Sequence, residues 1–134
     1  MVLTRIIDGL FVGDDTYSVK DLKEKYICYV VNVSGSKTEK EDYTFHLIDG
    51  PNPIKHYNLV LKRIKEERNK GKNVLVHCRE GKSRSPFIVA LYLSKLEKMT
   101  LLSAIDFVSR KHKKTDINKE LLNAYMEDVG LYYT

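Results

Sequence analysis

Val74-Leu75-Val76-His77-Cys78-Arg79-Glu80-Gly81-Lys82-Ser83-Arg84-Ser85-Pro86 is an apolar run that breaks into a tight basic loop, and the chain turns apolar again from Phe87 to Leu93. The run up to His77 has the β-branched, unalternating content of a strand covered on both faces. Phe87 to Leu93 is apolar all round, which suits a helix buried in the middle of a protein. The pattern predicts a strand ending at His77, a backbone fold from Cys78 to Arg84, and a helix beginning near Ser85. The positive end of that helix points back at Cys78.

Upstream, Ile54, Tyr57, Leu61 and Ile64 share one helical face, predicting an amphipathic helix that runs to about Asn69 and stops before Gly71. Ile27 to Val33 reads as a central strand with Cys28 as a small core residue, and Tyr43 to Ile48 alternates as a further strand. Ile6-Ile7 and Leu10-Phe11-Val12, around Asp8-Gly9, read as a small antiparallel edge. Residues 16 to 25 carry a short helical pattern. Asp49-Gly50-Pro51-Asn52-Pro53 excludes regular structure and must be a loop.

Downstream, Leu101, Ala104, Ile105 and Val108 mark a helix with Thr100 as N-cap, and Leu121, Leu122, Tyr125 and Val129 mark a last one. Lys111-His112-Lys113-Lys114, between them, reads as a solvated connection. Strands alternating with helices give an α/β class: a central, mostly parallel sheet of about five strands with helices on both faces. Ligands of such sheets sit at the carboxyl ends of the strands, where Cys78 falls.

The chain has 134 residues, the size of one ordinary domain, so residues 1–134 are expected to form a single catalytic domain. Hydrophobic content of 43% with 31% charged residues is globular composition. No stretch reads as a signal peptide or membrane span, so the expectation is a cytoplasmic protein, and a monomer. Cys28 and Cys78 cannot build a disulfide framework, and with four scattered histidines they offer no metal-ligand spacing. Residues 51 to 134 carry seventeen Lys/Arg against nine Asp/Glu, while residues 1 to 50 carry six against nine. Positive charge therefore gathers in the part with the loop, which suits an anionic ligand or, equally, solvated Lys-rich helix faces. Tyr132 and Tyr133, among nine tyrosines, read as packing or exposed residues without a regulatory role.

A thiol attacks only as thiolate, and a free cysteine with a pKa of about 8.5 is a few per cent ionised near neutrality. Lowering a thiol from about 8.5 to about 5 takes roughly 5 kcal/mol. A helix end supplies at most about 2 kcal/mol of that. The rest falls to loop N–H groups turned inward as a nest and to the Arg84 guanidinium. Those same groups match the oxygens of a phosphate placed in line with Cys78 Sγ. Attack expels an alcohol or phenol, whose departure needs a proton donor. Asp49 is the candidate, since it ends a strand and opens the Gly/Pro loop. Ser85 is placed to donate to the departing thiolate, and His77 to order the loop. Arg79 and Lys82 read either as solvated rim charges or as substrate contacts. An inert Cys78 would require His, Gly, Arg and Ser at these offsets by chance, odds on the order of 10⁻⁵.

Together these residues resemble the dual-specificity protein phosphatases, within the cysteine-based protein tyrosine phosphatase superfamily. Their signature, His-Cys-x5-Arg-Ser/Thr, stands here as His77-Cys78-Arg79-Glu80-Gly81-Lys82-Ser83-Arg84-Ser85. The resemblance extends to Ile7-Asp8-Gly9-Leu10-Phe11-Val12-Gly13, Val30-Val31-Asn32-Val33, Asp49 and the closing helices. It implies the protein tyrosine phosphatase-like fold, Cys78 as nucleophile, Arg84 as phosphate clamp, Asp49 as general acid and Ser85 as the aid to hydrolysis of a phosphocysteine intermediate. Arg79, Glu80, Gly81, Lys82, Ser83 and Arg84 would bind the substrate phosphate, with no metal or organic cofactor. The expected partners are proteins phosphorylated on Tyr and Ser/Thr. Phosphoinositides or RNA 5′-phosphate ends are the less favoured substrates. A phosphate-binding module without turnover is less favoured still, since a pure binder needs no thiol.

Overall fold

The computed structural model describes residues 3–38 and 40–131, so Tyr132 and Tyr133 lie outside the described residues. Five strands form one sheet: β1 (Leu3–Ile7), β2 (Leu10–Gly13), β3 (Ile27–Asn32), β4 (Tyr43–Thr44) and β5 (Asn73–His77). Five helices accompany them: α1 (Val19–Glu24), α2 (Ile54–Asn69), α3 (Arg84–Leu96), α4 (Leu101–Lys111) and α5 (Lys119–Asp128). The strand order is β1-β2-β5-β3-β4, and every pairing except β1 with β2 is parallel. This is the expected α/β class, with β5, the strand before Cys78, in the middle. No helix among the described residues is long and apolar enough to cross a membrane.

Side chains alternate across the sheet with the strand period of two. Val74 and Val76 join the large core beneath α2 to α5, while Leu75 joins a smaller core with Phe11, Val30 and Leu22 of α1. Four helices therefore cover one face and a single six-residue helix covers the other. That short helix is fixed by a capping box, in which Ser18 Oγ accepts from Asp21 N at 3.1 Å and Ser18 N donates to Asp21 Oδ2 at 2.8 Å. Helix α3 is buried along its length, with Phe87, Ile88, Val89, Leu91 and Leu93 at most 1% exposed. At about 1.5–3 kcal/mol for each fully buried large side chain, it contributes on the order of 10 kcal/mol of gross burial free energy. The helix that carries the loop's far end is thus anchored in the core.

Three expectations need correction. The β1–β2 pair is not merely an edge, because β2 also pairs with β5 and only β1 lies at the margin. Tyr43 to Ile48 forms a strand only at Tyr43–Thr44. Beyond it the chain stays extended, with Phe45 N donating to Asn32 O and Leu47 N to Val33 O, but β3 has ended at Asn32 and no ladder continues. Cys28 is exposed rather than a core residue. The register of β3 against β5 shifts between Ile27 and Tyr29, so both neighbours stay buried while Cys28 faces out.

Candidate active site

Gly13, His77 and Asn32 are paired at the ends of β2, β5 and β3, so three parallel strands finish level with one another. The chain leaves β5 at this rim and folds over it from Cys78 to Ser83 before entering α3 at Arg84, one residue earlier than expected.

The carbonyls of this loop are nearly all engaged from outside it. His77 O accepts from Val33 N at 2.9 Å, Arg79 O from Asp15 N at 3.2 Å and Lys82 O from Asp116 N at 2.8 Å. Cys78 O accepts from His77 Nδ1 at 3.2 Å, and Gly81 O from His112 Nε2 at 2.7 Å. A trans peptide points its N–H opposite its C=O, and no peptide here is cis. Carbonyls turned outward to the scaffold therefore turn the N–H groups of Arg79, Glu80, Lys82 and Ser83 inward. The result is a nest for an anion. Ser83, the N-cap of α3, makes no side-chain cap bond, which leaves the first N–H groups of that helix free for the same anion.

Gly81 is required twice over. Its φ is +70°, and a Cβ there would stand 3.0 Å from Gly13 C and O and 3.1 Å from Asp14 N. Backbone meets backbone at that point, with no flexible side chain to yield. Gly81 was expected to bind substrate, but it lies buried against the end of β2 and does not line the cleft.

A cleft of about 500 Å³ opens over the loop. Cys78 is at its floor, only 3% exposed, with Arg79, Glu80, Lys82, Ser83, Arg84 and Asp49 around it. Residues 116–120 form a further wall that sequence reasoning did not identify. Ser85 Oγ lies 3.2 Å from Cys78 Sγ and 3.2 Å from Gly13 O. One hydroxyl proton thus has two acceptors in reach, the carbonyl beside a neutral thiol and the sulfur when it is a thiolate. Arg84 is half-buried and lines the cleft, with Nη1 donating to Leu47 O at 2.9 Å, which ties the guanidinium to the chain just before Asp49.

Asp49 is brought to the loop by two neighbours. Ser83 Oγ donates to Asp49 Oδ1 at 2.6 Å and accepts from Asn118 N at 2.9 Å, while Asn118 Nδ2 donates to Asp49 O at 2.9 Å. Ser83, expected on the phosphate, lines the cleft with its N–H in the nest, while its side chain holds the carboxylate. Asn118 was missed because it reads simply as an N-cap, a role it also fills by accepting from Glu120 N. The Asp49 loop is stapled by Asn52, whose side chain accepts from Ile48 N at 2.9 Å and donates toward Ile48 O, Gly50 O and Tyr57 Oη.

In the stretch Lys111 to Lys114 the three lysines are exposed, as a solvated connection requires, but the histidine is not. His112 is buried, and since its Nε2 donates to Gly81 O, its Nδ1 accepts from Thr4 Oγ1 at 2.8 Å. Burial lowers its pKa, so the ring is held neutral in that tautomer. Lys114 Nζ pairs with Asp14 Oδ2 at 3.0 Å. Burial acts to raise the pKa of Asp14, but hydrogen bonds from Thr16 and Lys114 outweigh it and hold the carboxyl below its usual range. The signal in the sequence was a lone histidine among lysines at a helix end. His77 is likewise buried and lowered in pKa by that burial, with Tyr17 packed edge-on at 4.9 Å between ring centroids.

The chain resembles known proteins in sequence and in fold. The family model described as dual specificity phosphatase, catalytic domain, matches residues 10–128. Dual specificity protein phosphatase 1 of Arabidopsis thaliana is 30% identical over 115 residues, covering 79% of this chain and 58% of its own length. Protein-tyrosine-phosphatase IBR5 of Arabidopsis thaliana is 31% identical over 88 residues, covering 66% of this chain and 34% of its own length. The chain therefore spans less than two thirds of either curated relative. Among solved structures, human DUSP28 superposes with a TM-score of 0.85 at 20% identity, covering 97% of this chain and 96% of that one. Because the family match runs from the first residue of β2 to the last of α5, and so takes in both loops of the cleft, the chain belongs to the dual specificity phosphatase family.

Proposed function

We propose that this chain hydrolyses phosphomonoesters on protein Tyr and Ser/Thr through a phosphocysteine intermediate. The observation that carries this is the meeting of Cys78, Asp49 and Arg84 in one cleft over a loop whose N–H groups face inward. A phosphate seated on those N–H groups and on the Arg84 fork presents phosphorus to Cys78 Sγ. The thiolate attacks, the P–O bond to the leaving group breaks, and Asp49 passes its proton to the departing oxygen. Ser83 occupies Oδ1, which leaves Oδ2 to carry that proton. Water then attacks the phosphocysteine with Asp49, now ionised, accepting a proton, and Ser85 turns its hydroxyl to the departing sulfur. The S–P bond breaks, inorganic phosphate is released and the Cys78 thiolate is restored.

The domain unit is residues 1–134, acting as a monomer in the cytoplasm. A thiol nucleophile persists in a reducing compartment, and both cysteines are free. The cleft would take phosphoserine and phosphothreonine as well as phosphotyrosine. Cys78→Ser is expected to abolish hydrolysis of a small aryl phosphate while binding of a phosphate analogue survives. Phosphotyrosine, phosphoserine and phosphothreonine peptides, phosphoinositides and 5′-triphosphate RNA, compared by kcat/KM, test the substrate class. Peptides as the poorest group would replace the protein substrate with the best of the others.

A further inference from the structure

The carbonyls of the Cys78 loop are not all held by the same kind of group. His77 O, Arg79 O and Lys82 O accept from the backbone N–H groups of Val33, Asp15 and Asp116, bonds that any residue but proline would make at those positions. Cys78 O accepts from its own neighbour, through His77 Nδ1. Gly81 O differs. Among the described residues no loop or turn N–H reaches it, and its partner is His112 Nε2 at 2.7 Å, a side chain 31 residues further along the chain.

That carbonyl belongs to the peptide most in need of a holder. Gly81 sits at φ +70°, and the wide range of backbone angles open to glycine lets the Gly81–Lys82 peptide rotate as a unit. In one orientation Lys82 N–H faces the anion. In the other Gly81 O takes its place, and a partial negative charge meets a phosphate oxygen. A bond from His112 to Gly81 O selects the first orientation and polarises the amide, so that Lys82 N–H becomes the stronger donor.

His112 can act in this way only with its proton on Nε2. The ring is 4% exposed at the C-cap of α4, and Thr4 Oγ1, on the edge strand β1, donates to Nδ1 at 2.8 Å. With Nδ1 accepting, the neutral ring carries its proton on Nε2. The charged groups that face the imidazole, Lys114 and Asp14, pair with each other at 3.0 Å. Neither Thr4 nor His112 lines the cleft, so both act through the peptide they hold.

We propose that Thr4 and His112 are a pair of positioning residues that keep Lys82 N–H on the substrate phosphate. For its part in turnover the proposal rests on the phosphatase reading of the cleft. The pair makes the nest depend on strand β1, at the far margin of the sheet.

The test measures inorganic phosphate binding by calorimetry, kcat/KM on aryl phosphates of graded leaving-group pKa, and Tm, for the same set of variants. His112→Leu should weaken phosphate about tenfold and lower kcat/KM about tenfold, equally for good and poor leaving groups, because the nest acts on the phosphoryl oxygens. His112→Gln, which places an amide N–H near the position of Nε2, should recover most of both losses. Thr4→Val should weaken phosphate about threefold, and Thr4→Ser, which keeps the hydroxyl, should restore it. In the His112→Leu background Thr4→Val should cost nothing further, since its effect passes through the imidazole. Thr4→Val is near in shape to the native residue, so it reads the pair even where His112→Leu fails to fold. Phosphate affinity that follows this pattern in a protein that turns over no phosphoester would sink the phosphatase reading and keep the pair. Wild-type phosphate affinity in folded His112→Leu and Thr4→Val, with only Tm lowered, would reduce the two residues to packing and overturn the proposal. So would a loss that His112→Gln leaves unrepaired, or a full threefold cost of Thr4→Val in the absence of His112.

Discussion

The loop of Cys78 and the loop of Asp49 meet in one cleft, yet they are held in opposite ways. The Cys78 loop has almost no bonds of its own; it is suspended from β2, β3, the segment after α4 and the wall before α5. The Asp49 loop is a self-contained unit, stapled by Asn52 and joined to the Cys78 loop through Ser83 and Asn118. Suspension from many elements gives a fixed nest, because moving it breaks bonds to several parts of the fold at once. Internal stapling with few outside ties gives a rigid body that can swing on those ties.

That contrast can be broken at four points, the largest effect first. Asp49→Asn should slow hydrolysis of poor leaving groups by about 10²–10⁴-fold and of good leaving groups far less. A series of aryl phosphates of graded leaving-group pKa checks it, and an equal loss across the series would remove Asp49 from the acid role. Gly81→Ala places a Cβ on the backbone of β2 at an unfavourable φ. It should lower kcat/KM by about 10²-fold for every leaving group alike, since a displacement near 1 Å in a reacting site costs that much. Asn118→Ala removes one tie of the Asp49 loop. At about 1 kcal/mol for one hydrogen bond, roughly a fivefold loss is expected, confined to poor leaving groups.

The smallest effect is on stability. His77 and His112 are kept neutral by burial, so their pKa values are lowered from 6.5. The unfolded chain takes up those protons first as pH falls, and stability therefore declines from about pH 6.5 downward. His112→Gln keeps a neutral donor for Gly81 but cannot titrate, and should flatten the fall in Tm between pH 7 and 5 relative to wild type.

Local chemistry made much of this readable in advance. Helix α2 falls on the residues its periodicity marked, Thr100 caps α4 by accepting from Ser103 N, and the chain folds over the sheet rim where the apolar run met Cys78. Those features depend on near neighbours in the chain. The misses depend on distant ones. Nothing near His112 says that it bridges Thr4 and Gly81, and nothing near Cys28 says that a register shift in β3 turns it outward. Ser83 was legible as part of the loop, but its bond to Asp49 required knowing how the strand ends are stacked.

The suspended loop also has a consequence in time. The hydrogen bond from Thr4 to His112 spans a sequence separation of 108, and Gly81 reaches its seat only when the β1–β2 hairpin is in place. Closing such long chain segments costs entropy before any contact repays it, and contacts of this kind form late. Refolding is therefore expected to restore helical signal before catalytic activity, and stopped-flow circular dichroism set against the return of activity checks it.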